Sequence, residues 1–291
     1  MSLLKLLSIF SIITSFGSCS AVRQTTSKEQ IPRSDFSHLM PIIDSVAFNI
    51  MRKDFFLTNT FAFAQNDTMM SSVYSLYLWG KNHFLHFSFD KGYFKNQFGT
   101  AYLIFQSSKP GVGNALKPIW QKQTQDSLIS YDFRGPDFVL TEVIGARHGA
   151  IHKTGTNHLI PMLSSYSAET YKSWGLPDTV ESNMSDFIKT VDKNVNNKLF
   201  DRIQSVDLIV TNAELELLRS MLLINGYKQD RRGFSKATEP SINYIVNEQH
   251  RQSKVQRIII LLSEETPRRV INLGKSGQIT FSGKQAAFVF N

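Results

Sequence analysis

Between residues 55 and 105 the chain carries ten Phe, four Tyr and Trp79 in short runs broken by turn residues, and this density of rings constrains the fold more than any other feature. Aromatic and β-branched residues are favoured in strands because a pleated surface packs them against their neighbours. The run 55–64 is followed by Asn66-Asp67, the run 73–79 by Gly80-Lys81-Asn82, and the run 83–89 by Asp90-Lys91-Gly92. A fourth run, 99–105, leads on to Pro110. This punctuation predicts an antiparallel, aromatic-rich β meander. In the third run Leu85, Phe87 and Phe89 alternate with His86, Ser88 and Asp90, which predicts one core face and one wet face.

Around the meander the periodicity changes. Leu39, Ile42, Ile43, Val46, Ala47 and Ile50 recur at steps of three and four, which predicts a helix with Pro41 in its first turn. Residues 110–180 are rich in Gly and Pro and read as loops around a short strand over 138–144. Helical segments are expected over 184–203 and 212–224, with a capping-box spacing at Thr211 and Glu214, a stop at Gly226, and a buried strand at 206–210 between them. The last quarter returns to short strands over 242–246, 255–262, 270–273, 278–281 and 286–290. The fold class is therefore α+β, and the helical middle argues against an outer-membrane barrel. No internal repeat is legible. A chain of 291 residues, 42% hydrophobic and 19% charged, buries a sizeable core. It divides into a β-rich region at 36–176 and an α+β basic region at 177–291, with the question of one domain or two left open.

The amino terminus reads as an address. Lys5 is followed by an apolar run from Leu6 to Phe16 that is too short to span a bilayer, and residues 1–18 have the layout of a signal peptide. The string Phe16-Gly17-Ser18-Cys19 resembles the lipobox of bacterial lipoproteins, with Phe16 where that family usually has an aliphatic residue. The resemblance implies palmitate and related acyl chains on Cys19, each buried CH₂ contributing about 0.8 kcal/mol to a membrane anchor. Cys19 is the single cysteine of the chain, so no internal disulfide is possible. Residues 19–35 then comprise the lipidated cysteine and a polar, flexible tether interrupted by Pro32. Ser20, in place of an acidic residue, resembles the pattern sorted to the outer membrane. The triplets starting at Asp44, Asp67, Asp126 and Asp178 resemble O-glycosylation acceptors of some Gram-negative bacteria, or else mark ordinary Asp-rich turns.

Charge is concentrated at the other end. The chain has a formal balance of +8, and from Arg219 to Asn291 twelve Lys or Arg face five Asp or Glu, a net of +7. A basic face meets nucleic acid, anionic lipid or anionic polysaccharide, and export excludes nucleic acid. Arg231, Arg232, Arg268 and Arg269 are the candidate residues for an anionic partner.

One local string carries possible chemistry. His148, His152, Gly155 and His158 have the spacing of the metzincin zinc site, and resemblance to that family implies three imidazoles around Zn. Gly149 occupies the place of the family's general-base glutamate. Arg147-His148-Gly149 also resembles the tripeptide of histidine phosphatases. The expectation from the sequence is an exported, lipid-anchored envelope protein at the outer membrane, facing the periplasm or the cell surface. It would act without a cofactor as a binding or assembly module with an envelope protein or anionic polymer as partner. The alternative is a metal-dependent hydrolase using the His148, His152 and His158 loop.

Overall fold

The computed structural model describes residues 34–69, 73–90, 99–124, 128–134, 139–146, 159–177, 183–247 and 253–291. The chain opens with β1 (Ser34–Pro41), α1 (Ser45–Lys53), β2 (Phe63–Met69), β3 (Val73–Trp79) and β4 (Phe84–Asp90). The same order returns in β5 (Ala101–Ser107), α2 (Gly113–Thr124), β6 (Leu128–Arg134), β7 (Val139–Ala146) and β8 (Leu159–Tyr166). Two short helices, α3 (Ala168–Ser173) and α4 (Met184–Val191), lead to a third series: β9 (Phe200–Val210), α5 (Asn212–Ile224), β10 (Lys228–Gln229), β11 (Gly233–Ser235) and β12 (Ser241–Val246). A long hairpin, β13 (Lys254–Asn272) and β14 (Gly277–Phe290), ends the chain. The class is α+β. Among the described residues no helix is long and apolar enough to cross a membrane.

The repeat that the sequence conceals is in the topology. The eight-stranded sheet has the order β2-β3-β4-β1-β5-β8-β7-β6, and the six-stranded sheet the order β10-β11-β12-β9-β13-β14. In each βαβββ series the first strand lies parallel to the fourth: β1 to β4, β5 to β8 and β9 to β12. The first two series join through antiparallel β1 and β5, and β13 pairs antiparallel with β9 in the same way. A parallel neighbour needs a crossover, which the helix of each series supplies.

Several local expectations are corrected by this arrangement. Ser34 to Pro41 is a strand, not the start of a helix. Leu39 faces the core through strand alternation, and the helix begins only after Asp44, whose Oδ1 accepts from the Val46 and Ala47 N–H groups at 2.6 and 2.9 Å. The tether expected to reach residue 35 gives way to β1 at Ser34, which is already buried. The first meander run turns instead into a wide helical turn, Phe56–Phe61, before β2. The run ending at Phe105 leaves the meander to pair with β1 and β8. The helix expected over 184–203 stops at Val191, because Phe200 already enters β9. The Thr211 and Glu214 capping box is present, and Gly226 follows the helix with φ of 80°. The short strands expected over 255–273 and 278–290 are two long strands carrying register shifts, since a bulge bends a ladder without ending it.

The bend in the hairpin closes the core. Register slips between Leu261 and Arg269, and the tip folds back so far that Asn291 N–H donates to the Ser276 carbonyl at 3.2 Å. Gly277 has φ of 126°, and a Cβ there would stand 1.9 Å from the Val289 carbonyl oxygen. Phe281 thereby meets Phe56 and Phe61, with ring centroids at 4.9 and 5.3 Å, and Ser276 Oγ donates to Asp44. One apolar cluster runs through both sheets, from Leu39, Phe87 and Phe105 to Val206, Ile258 and Phe288. The sheets are also linked by polar contacts. Lys81 and Asn82 N–H groups donate to the Phe200 and Asp201 carbonyls, and Ile203 N–H donates to His83 Nδ1 at 3.2 Å. Lys236 Nζ donates to the Ser34 carbonyl at 2.8 Å and to Asp35 Oδ1 at 3.2 Å.

Phe61 stacks on Phe200 at 5.2 Å and also touches Phe281 and Phe288, with no exposed surface. Phe61→Ala is expected to cost about 3–5 kcal/mol, read as a lower urea midpoint at unchanged slope.

Candidate functional site

Strand alternation assigns two faces to the eight-stranded sheet. Leu76, Leu78, Leu85, Phe87, Leu103 and Phe105 enter the shared core. The alternate residues project from the opposite face, and there polar and aromatic groups gather on β1, β3 and β4. A register slip at Ser37 places Ser37 and His38 on this face together. His38 Nδ1 is hydrogen-bonded to Ser37 Oγ at 2.9 Å, and its ring stacks on Phe84 at 4.0 Å. His86 Nε2 is shared by Ser75 Oγ at 2.9 Å and Ser88 Oγ at 3.1 Å, and its ring stacks on Tyr77 at 4.2 Å. The two imidazoles are 6.0 Å apart.

This face is not the wet one that the sequence suggests. His86 is 5% exposed and Ser88 is buried, and the chain after β8 packs beside them on Trp79 and Phe84. Met184, Phe187 and Ile188 of α4 pack with Trp79, Phe84 and Val195, and Ser37 Oγ donates to Met184 Sδ at 3.7 Å. Asn183 caps α4 by accepting from Asp186 N–H, and the apolar side of the helix is pressed onto the sheet. Burial pushes the His86 pKa down to about 3. His38 is also held well below its ordinary value, first by burial and then by the His86 ring. Both imidazoles are therefore neutral at physiological pH. Beside them Tyr166 is held as a phenol, its pKa raised by burial and then by Tyr77 and Tyr171. A small cleft of about 10 Å³ remains between Asp35, Gln106, Tyr166, Tyr171 and Asn183.

Neutral imidazoles are competent metal ligands, but His38 and His86 are two, and a closed zinc site takes four ligands. Among the described residues no three His, Cys, Asp or Glu side chains gather as a ligand set. The arrangement does what a buried polar layer does: it fixes register by pairing each imidazole with hydroxyls, and it leaves the aromatic rings in contact. Alternation in the third run was the available signal for His86. Nothing in the local sequence marks His38 as its neighbour, since a parallel pairing between β1 and β4 brings them together.

The residues singled out in the sequence are scattered. Cys19, His148, His152 and His158 lie outside the described residues. Arg231 and Arg232 are exposed in the turn between β10 and β11, where Arg232 N–H donates to Asp230 Oδ1 at 2.7 Å. Arg268 is exposed at the folded hairpin, whereas Arg269 is engaged within the protein, with Nη2 3.6 Å from Asp54 Oδ2 and its guanidinium 4.6 Å from the Phe56 ring. The four arginines do not form one basic site, because the two pairs belong to opposite edges of the six-stranded sheet. Of the Asp-Ser/Thr triplets, the first opens α1 with Asp44 as its cap, and the second lies in β2.

The outer face of the six-stranded sheet carries a second polar group. Asp207 on β9 accepts from Asn243 Nδ2 of β12 at 2.7 Å and from Arg257 Nε of β13 at 2.6 Å. Ile245, one position along β12 on the same face, is exposed.

The chain belongs to the Family of unknown function (DUF5829), whose model matches residues 36–290. No curated protein matches its sequence. Its fold is similar to that of a hypothetical protein from Staphylococcus aureus, at 11% identity and a TM-score of 0.50, over 82% of this chain and 95% of that one. A triple mutant of 4-hydroxymandelate synthase from Streptomyces coelicolor is similar at 9% identity and a TM-score of 0.41, over 86% and 87% of the two chains.

The buried imidazoles give stability a pH dependence. The unfolded chain takes up protons below about pH 6.5 that the folded His86 refuses until about pH 3, so stability falls with acidification across that window. The expected loss is about 1.4 kcal/mol per pH unit for each such histidine. Urea titrations between pH 7 and pH 4 measure it, and His86→Gln should flatten the slope.

Proposed function

We propose that this protein is exported, lipid-anchored through Cys19 to the bacterial outer membrane, and works there as a non-catalytic binding or assembly module. One observation carries the non-catalytic reading. The imidazoles that the eight-stranded sheet brings together spend their hydrogen bonds on Ser37, Ser75 and Ser88, and His86 is 5% exposed. A general base works with a pKa near the ambient pH and within reach of substrate. His86, held at about 3 by burial, is suited to structure instead.

Binding then falls to the open surfaces. On the six-stranded sheet the Asn243, Asp207 and Arg257 group offers oriented donors and acceptors beside the exposed Ile245. Such a mixed face suits an envelope protein or an anionic polymer. The stretch from Cys19 to Ser34 spans at most about 50 Å when extended, enough to let the body turn any side toward the membrane.

Metabolic labelling with radioactive palmitate tests the anchor. Label is expected on the wild-type chain and absent from Cys19→Ala, which should leave the membrane fraction. Label retained by the variant would refute lipidation at this residue. Elemental analysis tests the second half: about one zinc per chain, lost in His152→Ala, would replace the binding module by the hydrolase.

A further inference from the structure

The ion pair between Asp54 and Arg269 joins two segments that lie far apart in sequence, the end of α1 and the bent stretch of β13. Asp54 closes α1, its N–H donating to the Ile50 and Met51 carbonyls, and its carboxylate accepts from Leu57 N–H at 2.9 Å. Arg269 lies over the Phe56 ring. Around this fixed point stand Arg52, Lys53 and Arg268, all exposed, and Phe55, which is 75% exposed. Val270, next to Arg269, is 49% exposed.

Two features of this junction ask for a ligand. The first is charge: four cations meet one carboxylate, and that carboxylate is already paired with Arg269. The exposed acids Glu264 and Glu265 lie earlier on the same bent stretch of β13. Cations at the end of α1 complement the helix dipole, which explains Arg52 and Lys53 locally but not the rings and aliphatics beside them. The second is apolar exposure. Phe55 precedes Phe56, which packs against the core, so the turn buries the second ring and leaves the first in water. The other exposed large apolar residues, Val46 aside, lie on α5 and β12.

We infer that this junction is a contact surface for an anionic bilayer, with Phe55 and Val270 seated at the headgroup level and Arg52, Lys53, Arg268 and Arg269 against the lipid phosphates. An aromatic ring flanked by cations matches an interface that is apolar below and anionic above. A flat bilayer also accepts cations contributed by two separate segments without demanding a shaped pocket. A basic patch adds electrostatic attraction to an anionic surface beyond any acyl anchor. The inference draws its lipid source from the envelope reading above, but the surface is independent of the acyl chain.

The test uses the chain from Ser20 onward, which lacks Cys19 and retains the compact unit Pro32–Asn291. It is mixed with phosphatidylcholine vesicles containing about 30 mol % phosphatidylglycerol, and with pure phosphatidylcholine. Sedimentation is expected with the anionic vesicles alone and should weaken as salt is raised. Arg52→Glu, Lys53→Glu and Arg268→Glu combined should lower partitioning at least about tenfold, since each cation near an anionic surface contributes several-fold. Among the described residues these three side chains make no ion pair, and an unchanged thermal midpoint checks that the variant folds. Phe55→Trp should add a blue-shifted emission component only with anionic vesicles, whereas Arg231→Glu with Arg232→Glu, at the opposite sheet edge, should leave partitioning unchanged. Failure to sediment with anionic vesicles overturns the inference. So does binding that survives the triple reversal, or binding without a spectral shift, which would mark a general polyanion surface. Loss of palmitate labelling alone would overturn the anchor and leave this surface standing.

Discussion

Everything in this fold depends on one apolar layer that two sheets share. Neither sheet encloses a core by itself: each has a face of Leu, Ile and Phe that must leave water, and the two faces meet around Phe61. That ring is the point where the first βαβββ series touches β9 through Phe200 and the closing hairpin through Phe281 and Phe288. The hairpin bend is part of the same constraint. A straight β13 and β14 would carry Phe281 and Ile279 away into solvent, whereas the folded tip returns both to the layer and sets Ser276 against the cap of α1. The close approach of Gly277 to the Val289 carbonyl is the local requirement of that return.

The threefold use of one βαβββ series explains why similar strands have different surroundings. On the eight-stranded sheet, the face away from the shared layer is partly covered by the chain that follows β8, and its serines and histidines pair with one another and the imidazoles lose their charge. On the six-stranded sheet the corresponding face stays open, and its polar centre is an ion pair with an amide beside it rather than a neutral layer. The chemistry of each face follows from whether water reaches it. A carboxylate and a guanidinium are stable at a wet surface, while buried rings favour neutral partners.

The body is held by its shared core and carries exposed charged groups at its rim. The basic excess of the last quarter is divided by the fold. Arg231 and Arg232 project from one edge, while Arg269 pairs with Asp54 at the end of α1 on the other side. A polybasic reading of the sequence treats these as one feature, and the sheet separates them.

What the sequence determined by itself is local and periodic. The aromatic runs specified β3 and β4, the Thr211 and Glu214 spacing specified the start of α5, and Gly80 marked the turn between β3 and β4, because each depends on residues within a few positions. Only the tertiary structure decided that β1 is a strand, since Leu39 is core-facing under either period and a pairing with β5 settles it. It also decided that His86 is dry, because alternation identifies a second face without revealing what covers it. The repeat of the βαβββ order, the nearness of His38 to His86 and the meeting of Phe56 with Arg269 all arise from contacts between residues dozens to hundreds of positions apart. Such contacts obey sheet register and core volume, which no short window of the chain contains.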